Sequence, residues 1–236
     1  MTVRLKQTGS TMIDAAALAE RGGEHGTVVV AESQTAGIGR QGHSWQSGDP
    51  GGLYLSLILR LSFPPRDLPL LTMALGLAVQ SALQPTVTTD IRWPNDILLD
   101  GRKLAGILVQ TPAQGVAIAG IGLNVNQTSF PDNLADIATS LRLSTGIEQE
   151  KEPLLERMVA ACLEEAEALA AGGRDSVLAR FTQSSSWVEG KEVEVQGEQL
   201  IRGTTAGLNP DGFLLVRTAT GVETILAGGV RAASVS

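Results

Sequence analysis

One cysteine, Cys162, stands in the whole chain. An internal disulfide is thereby excluded, and so is a metal site built on a Cys-x-x-Cys pair. Cys162 lies in the apolar run Met158-Val159-Ala160-Ala161-Cys162-Leu163, the setting of an inert core thiol, since free cysteine is commonly buried. No run reaches the ~18 apolar residues that a membrane span requires. The N-terminal MTVRLKQTGS also lacks the apolar core of a secretory signal, so a cytoplasmic protein is expected. Basic residues are scarce: 18 Lys and Arg against 25 Asp and Glu leave a net charge of −7. Non-specific nucleic-acid binding, which neutralises many phosphates, is not expected, although a single nucleotide needs only a local cluster of donors. The two histidines, His25 and His43, are too far apart and too poorly accompanied to argue a metal site. No Ser-His-Asp or Cys-His arrangement points to a hydrolase. Aromatic residues make up only 3% of the chain, so each tryptophan asks for a reason.

What is present fits a globular protein: 43% hydrophobic, 18% charged and 236 residues, enough for one large domain or a large and a small one. Helices are expected over 13–19, 67–84, 152–171 and 175–184, with Thr11 and Asp14 as a capping-box variant before the first. β-Branched or alternating runs predict strands over 27–31, 53–61 and 116–125. Phe63-Pro64-Pro65 ends the second of these. Residues 90–93 are extended ahead of Pro94. Residues 97–99 and 103–110 read as a hairpin around Asp100-Gly101. Residues 132–141 read as loop and short helix. After Trp187 the texture changes to short alternating strands over 191–195, 203–208, 213–217 and 223–227, separated by turns such as Asn209-Pro210-Asp211-Gly212. A boundary near 186 divides a domain of residues 1–186 from a small all-β module of residues 187–236.

Gly37-Ile38-Gly39-Arg40-Gln41-Gly42 follows a strand and matches a dinucleotide fingerprint, but that motif must open a helix. The residues that follow, His43 to Gly52, cannot form one. The segment 34–52 holds six glycines; it is either a bland loop or one whose backbone N–H groups wrap an anion, with Arg40 adding charge. Arg92-Trp93-Pro94-Asn95-Asp96 serves either a strand-end turn or a site where Asn95 and Asp96 reach phosphate-bound Mg2+ or hydroxyls, with Trp93 as an apolar wall. Lys103, at the head of an apolar strand, is either an edge residue or a cation that holds a carboxylate beside a phosphate. Gly120 and Gly122 alternate in a strand, which marks tight packing or close approach of a ligand. Ser10 and Thr11 serve a helix cap or a neutral polar ring, and Gln34 offers an amide to the same kind of partner.

Taken together, these segments resemble the biotin–protein ligases. Ser10-Thr11 resembles the family's Ser-Thr-Asn, and the run from Ala31 to Trp45 its glycine- and arginine-rich biotin loop. Arg92 to Asp96 resembles its K-W-P-N-D, Lys103 to Leu108 its K-[LV]-[AC]-G-I-L, and Gly120 to Asn126 its G-I-G-[IL]-N-[VL]-N. Each piece is weak alone; five in order and spacing are specific. The resemblance implies an α+β fold, a mixed sheet packed with helices as in class II synthetases, followed by an SH3-like barrel. It implies a ligase that uses ATP, as its Mg2+ complex, to make biotinyl-5′-AMP and then loads a lysine of a biotin carboxyl carrier domain of a biotin-dependent carboxylase. No nucleic-acid or membrane partner is implied, no protein-bound metal is expected, and a homodimer is left open.

By the same resemblance, Ser10, Thr11 and Gln34 bind the biotin ureido ring, and Gly37, Ile38, Gly39 and Arg40 close over it, with Gly106 and Gly120 beside it. Arg40 and Lys103 are the catalytic cations. Gly42, Trp45, Arg92, Asn95, Asp96, Asn124 and Arg231 lie by the nucleotide or adenylate. Met12, Ile38 and His43 depart from the family pattern and remove an amide and two full cations, so weaker adenylate retention is expected. The first motif begins at Ser10, which leaves no room for the DNA-binding domain that some members carry. A lipoate–protein ligase or octanoyl transferase and a non-catalytic biotin or nucleotide binder are the competing readings; the loop and R-W-P-N-D pattern opposes the first, and retention of Lys103 and Arg40 opposes the second.

Overall fold

A computed structural model describes residues 1–62, 64–197 and 199–233. The chain runs β1 (Thr2–Thr8), α1 (Thr11–Glu20), β2 (Val28–Gln34), β3 (Leu53–Leu59), α2 (Leu68–Leu83), β4 (Asp90–Arg92), β5 (Asp96–Leu99), β6 (Arg102–Ala113), β7 (Val116–Leu123), α3 (Asp132–Ala135), α4 (Leu141–Thr145), α5 (Lys151–Ala170) and α6 (Arg174–Ser184). A second set of strands follows: β8 (Glu189–Gln196), β9 (Leu200–Leu208), β10 (Leu214–Arg217), β11 (Val222–Ile225) and β12 (Gly229–Ala232). The first seven strands form one mixed sheet in the order β1-β2-β3-β7-β6-β5-β4, with only β1 and β2 parallel. The last five form an antiparallel sheet in the order β11-β10-β9-β8-β12. Among the described residues no helix is long and apolar enough to cross a membrane.

Burial explains the central strands. All seven residues of β3, LYLSLIL, are buried, because helices cover both sheet faces there and neither face needs polar residues. Residues of α2, α5 and α6 share the large core with the sheet, including Leu75, Met158, Cys162 and Phe181. On the opposite face the short α1 packs Met12, Ala15 and Ala19 against Val29, Ile58 and Ile118. That helix reaches only part of the face, and beyond it β6 and β7 carry glycines rather than side chains.

The expected hairpin at Asp100-Gly101 is present, with φ of 52° and 74°, the paired positive values of a tight strand-matched turn. Two edge strands, β1 and β12, escape the sequence reading; β1 is seven residues with none buried and β12 four residues with only Val230 buried, so no apolar run announces them. The capping box is corrected. Thr11 lies inside α1, its hydroxyl turns to Gln34 and Ser56, and Asp14 accepts from Thr8 at 2.5 Å instead of capping. The strand expected over 53–61 ends at Leu59. The break placed at Phe63 and the last three residues of the small module, Ser234 to Ser236, lie outside the described residues.

Candidate active site

The bare patch of the sheet is the floor of a cavity of about 220 Å3. Gly120 and Gly122 point to this face from β7, and register sets Gly106 of β6 opposite Gly122. Each glycine is filled by a neighbour's side chain: a Cβ on Gly120 would strike Met12, and one on Gly122 the indole of Trp45. The alternating glycines are therefore a seat for Met12 and Trp45, and those two residues shape the cavity.

One end of the cavity is a polar cluster. Gln34, at the end of β2, accepts the Thr11 backbone N–H at 2.8 Å and its hydroxyl at 3.1 Å on Oε1, and donates to Ser47 Oγ at 3.1 Å. Thr11 Oγ1 also lies 2.9 Å from Ser56 Oγ. Ser10 lines the cavity with a buried hydroxyl that has no protein partner, and a buried polar group without a partner favours a ligand that supplies one. Ser47 and Ser56 were not singled out from sequence; a lone serine in the otherwise apolar β3 is the signal that marks Ser56. Apolar walls come from Met12, Ile38, Leu55, Ile107, Leu108 and Ile121.

The glycine-rich segment folds back as a lid. Gly39 N–H donates to the His43 carbonyl at 2.8 Å, Trp45 N–H to the Gly37 carbonyl at 2.9 Å, and Ile38 pairs with Ser44. Residues Arg40–Gly42 make a single 3-10 turn, with Gln41 at positive φ, and not the α-helix that the dinucleotide motif would have to open. Ile38, Gly39 and Arg40 line the cavity. Gly37 and Gly42 line neither this cavity nor the next. Gly37 is buried at the root of the lid against Ser47 and the Trp45 carbonyl, while Gly42 sits exposed at φ +77°.

A second cavity of about 330 Å3 adjoins the first, and His43, Ser44, Trp45, Asn95, Asp96, Lys103, Gly228 and Gly229 line both. Arg92, Trp93, Asn124 and Arg231 line the second alone, together with Phe130, Leu134, Ile137 and Ala138, an apolar set that sequence reasoning missed. Lys103 is fixed at the junction through its backbone, which bonds to Ile137 O at 2.8 Å and to Thr139 N–H at 2.9 Å. Asn124 donates from Nδ2 to Thr139 O at 2.9 Å, so its amide nitrogen supports this strap while the residue lines the second cavity.

Charge is concentrated on the shared wall. Asp96 pairs with Lys103 Nζ at 2.6 Å and with Arg92 at 2.7 Å. Arg40 donates to Asn95 Oδ1 at 3.1 Å, and Asn95 in turn donates to Ile107 O at 2.9 Å. Burial alone would raise the Asp96 carboxyl, but Lys103 and Arg92 outweigh it and hold the group below the usual carboxylate range. Burial lowers the Arg40 guanidinium from its usual value, and the charge of Asp96 opposes that shift; it remains a cation. Asp96 is the one carboxylate lining either cavity among the described residues. Arg40, Lys103 and Arg92 against one Asp96 leave an excess of positive charge where the two cavities meet. That excess suits two anionic groups brought face to face. Among the described residues no group of three His, Cys, Asp or Glu is placed to hold a metal.

Residues 4–126 match the family described as "Biotin/lipoate A/B protein ligase family", and residues 190–230 match "Biotin protein ligase C terminal domain". The chain is 35% identical to the bifunctional ligase/repressor BirA of Bacillus spizizenii, over 94% of this chain and 70% of that one. It is 34% identical to the biotin–[acetyl-CoA-carboxylase] ligase of Mycobacterium tuberculosis, over 95% and 86%. In structure it is similar to the biotin protein ligase of Aquifex aeolicus in complex with biotin and ATP, with a TM-score of 0.86 and 31% identity over 98% of this chain and 99% of that one.

Proposed function

The chain belongs to the biotin/lipoate A/B protein ligase family, and from that membership we propose that it activates biotin with ATP and transfers it to a lysine of a biotin carboxyl carrier domain. The observation that carries this reading is the placement of Lys103 on the wall shared by the two cavities, with Arg40 beside it. Biotin occupies the first cavity, its ureido ring at Ser10, Thr11 and Gln34 and its carboxylate toward Arg40 and Lys103. The nucleotide occupies the second, near Arg92, Asn95, Asp96 and Arg231.

The carboxylate oxygen forms a bond to the α-phosphorus and the bond to the β-phosphate oxygen breaks, releasing pyrophosphate. Two anions repel as they approach, and the Arg40 and Lys103 cations offset that repulsion most strongly at the crowded transition state. The lid from Gly37 to Trp45 keeps water from the acyl-adenylate. The acceptor lysine, as the free amine, then attacks the acyl carbon. The C–N bond forms, the C–O bond to AMP breaks, and the amine proton passes to solvent.

Mg2+ would supply charge neutralisation on the triphosphate. The residues fit an ion that arrives on ATP rather than one caged by protein: Asp96 is already bound by Lys103 and Arg92, and Asn95 by Arg40 and the Ile107 carbonyl. A cytoplasmic location goes with this proposal, as a compartment that supplies Mg-ATP to the reaction.

The test is to incubate the protein with Mg-ATP, biotin and a carboxyl carrier domain and weigh the acceptor. A single biotinyl increment, lost in Lys103→Ala, is expected. Tight biotin binding without an increment would point to a non-catalytic binder. An increment only with lipoate or octanoate would reassign the acid.

A further inference from the structure

The turn 209–212, between β9 and β10, is inserted into the larger domain. Gly212, at φ +81°, sits so close to α2 that a Cβ would meet Leu70 Cδ2 at 2.6 Å and Met73 Sδ at 3.0 Å. Its carbonyl accepts the Trp93 indole N–H at 2.9 Å. Arg174, the first residue of α6, closes the socket: it donates to the Pro210 carbonyl, to Asp211 Oδ1 at 2.9 Å and to Asp67 at the start of α2. The Arg174 and Asp67 side chains are only 20% and 11% exposed, so this bridge is less screened than a surface ion pair. A planar guanidinium suits such a set of three acceptors on two elements.

The small sheet has a second attachment. Ser185 donates to the Ile91 carbonyl, and Ser186 bonds to Asp90 through its N–H at 2.9 Å and its hydroxyl at 2.6 Å. The two parts also share one apolar core, in which Trp187, Val188, Val193 and Leu214 are buried together with residues of α2, α5 and α6. Apolar contact is non-directional, so it holds the small sheet against the larger domain without fixing its angle, and the polar bridge at the turn 209–212 is what opposes a rotation. What the rotation would carry is the far edge of the same sheet, β12, with Gly228, Gly229 and Arg231 at the second cavity. Arg174 itself lines neither cavity.

We propose that Arg174, by bridging Asp67 to Asp211 and the Pro210 carbonyl, is a positioning residue for the nucleotide: it holds β12 and Arg231 over the second cavity. The identity of that nucleotide as ATP rests on the ligase reading above.

The experiment compares the wild-type protein with Arg174→Ala and Arg174→Lys, reading steady-state kinetics of biotin transfer and amide exchange at Gly229–Ala232. Arg174→Ala should raise the KM for ATP about tenfold, the equivalent of ~1.4 kcal/mol, and change the KM for biotin less than about twofold. Exchange in β12 should quicken. Arg174→Lys, which keeps the charge but loses the fork, should fall between the two. A merely structural loss would reduce the active fraction, lowering kcat and leaving the KM for ATP alone; that result overturns the proposal. So does an equal rise in both KM values, or β12 exchange that does not change. A wild-type protein that transfers no biotin would sink the ligase reading instead, and exchange at β12 would still decide whether Arg174 fixes the edge.

Discussion

The indole of Trp45 occupies the space that a Cβ on Gly122 would need, with Cε2, Nε1 and Cζ2 the atoms met first. Across the register Gly106 is closed in the same way, by Trp45 Cζ3 at 3.0 Å and Lys103 Cε at 3.2 Å, and Lys103 Nζ lies 5.3 Å from the Trp45 ring centre. One aromatic side chain from the lid thus rests on two glycines of the floor and touches the cation at the junction.

Gly122→Ala should therefore act through Trp45. Overfilling a packed contact costs ~1–3 kcal/mol, and the lid yields more readily than the sheet, so the indole leaves its seat. Because Trp45 lines both cavities, biotin and ATP should both bind about tenfold more weakly, with little change in melting temperature. Calorimetric titration in a double-mutant cycle with Trp45→Ala checks it: the alanine at 122 should add almost nothing once the indole is gone. Fully additive losses would show that Gly122 acts by another route.

The residues that carry charge were legible in the sequence: Arg40, Lys103 and Asp96 have few structural reasons to sit beside glycines and apolar strands, and the structure brings them to one wall. The glycine alternation in β7 was legible as close approach, but not what approaches, because Trp45 is 77 positions away from Gly122 in sequence. Contacts of that kind have no local signature. The same holds for Arg174, whose partners Asp67 and Asp211 lie 107 and 37 residues away, and for the bond from the amide nitrogen of Asn124 to the Thr139 carbonyl. Edge strands such as β1 were illegible for a different reason: with one face and one edge in water, their side chains need not be apolar.

Ser56 has no charge and no motif, yet it orients the polar end of the first cavity. Replacing it with alanine removes the partner 2.9 Å from Thr11 Oγ1 and leaves that hydroxyl held by Gln34 alone. A net hydrogen bond of this kind contributes ~1 kcal/mol, so biotin affinity should fall about five-fold. ATP affinity should hold, because Thr11 and Gln34, through which Ser56 acts, line the first cavity and not the second. Equilibrium binding of each ligand to Ser56→Ala reads the difference; an equal loss for both would place the effect in the sheet rather than in the acid site.

Cys162 is fully enclosed by the helical side of the core, and burial, with a smaller contribution from Glu165, pushes its thiol up to about 12. Only the thiolate is nucleophilic, so at pH 8 the folded protein should resist iodoacetamide and the denatured protein should take a single label. Intact-mass measurement distinguishes the two states. A labelled native protein that stays folded would show that the α2–α5 interface opens far more often than its packing implies.

Asp96 gives the protein a pH dependence whose sign is fixed by the competition around it. Burial works to raise its carboxyl, and Lys103 and Arg92 prevail and lower it. The unfolded chain, with an ordinary carboxyl near ~3.9, then takes up the proton before the folded one does. Acidification pulls the equilibrium toward the unfolded state over that interval, and the stabilisation from Asp96 is complete above ~pH 5 and lost as pH falls through the unfolded value toward the folded one. Asp96→Asn cannot titrate and leaves two cations facing each other. Its melting temperature should lie below that of the wild type at pH 7, and the gap should close as pH falls from ~5 toward ~2. Taking the difference between the two proteins removes the contribution of the other carboxylates, which titrate in both. A gap that instead opened on acidification, or changed between pH 5 and 7, would mean that burial prevails over the two cations and that Asp96 is kept as a neutral acid. The junction would then carry one more positive charge than the adenylation chemistry assigns to it.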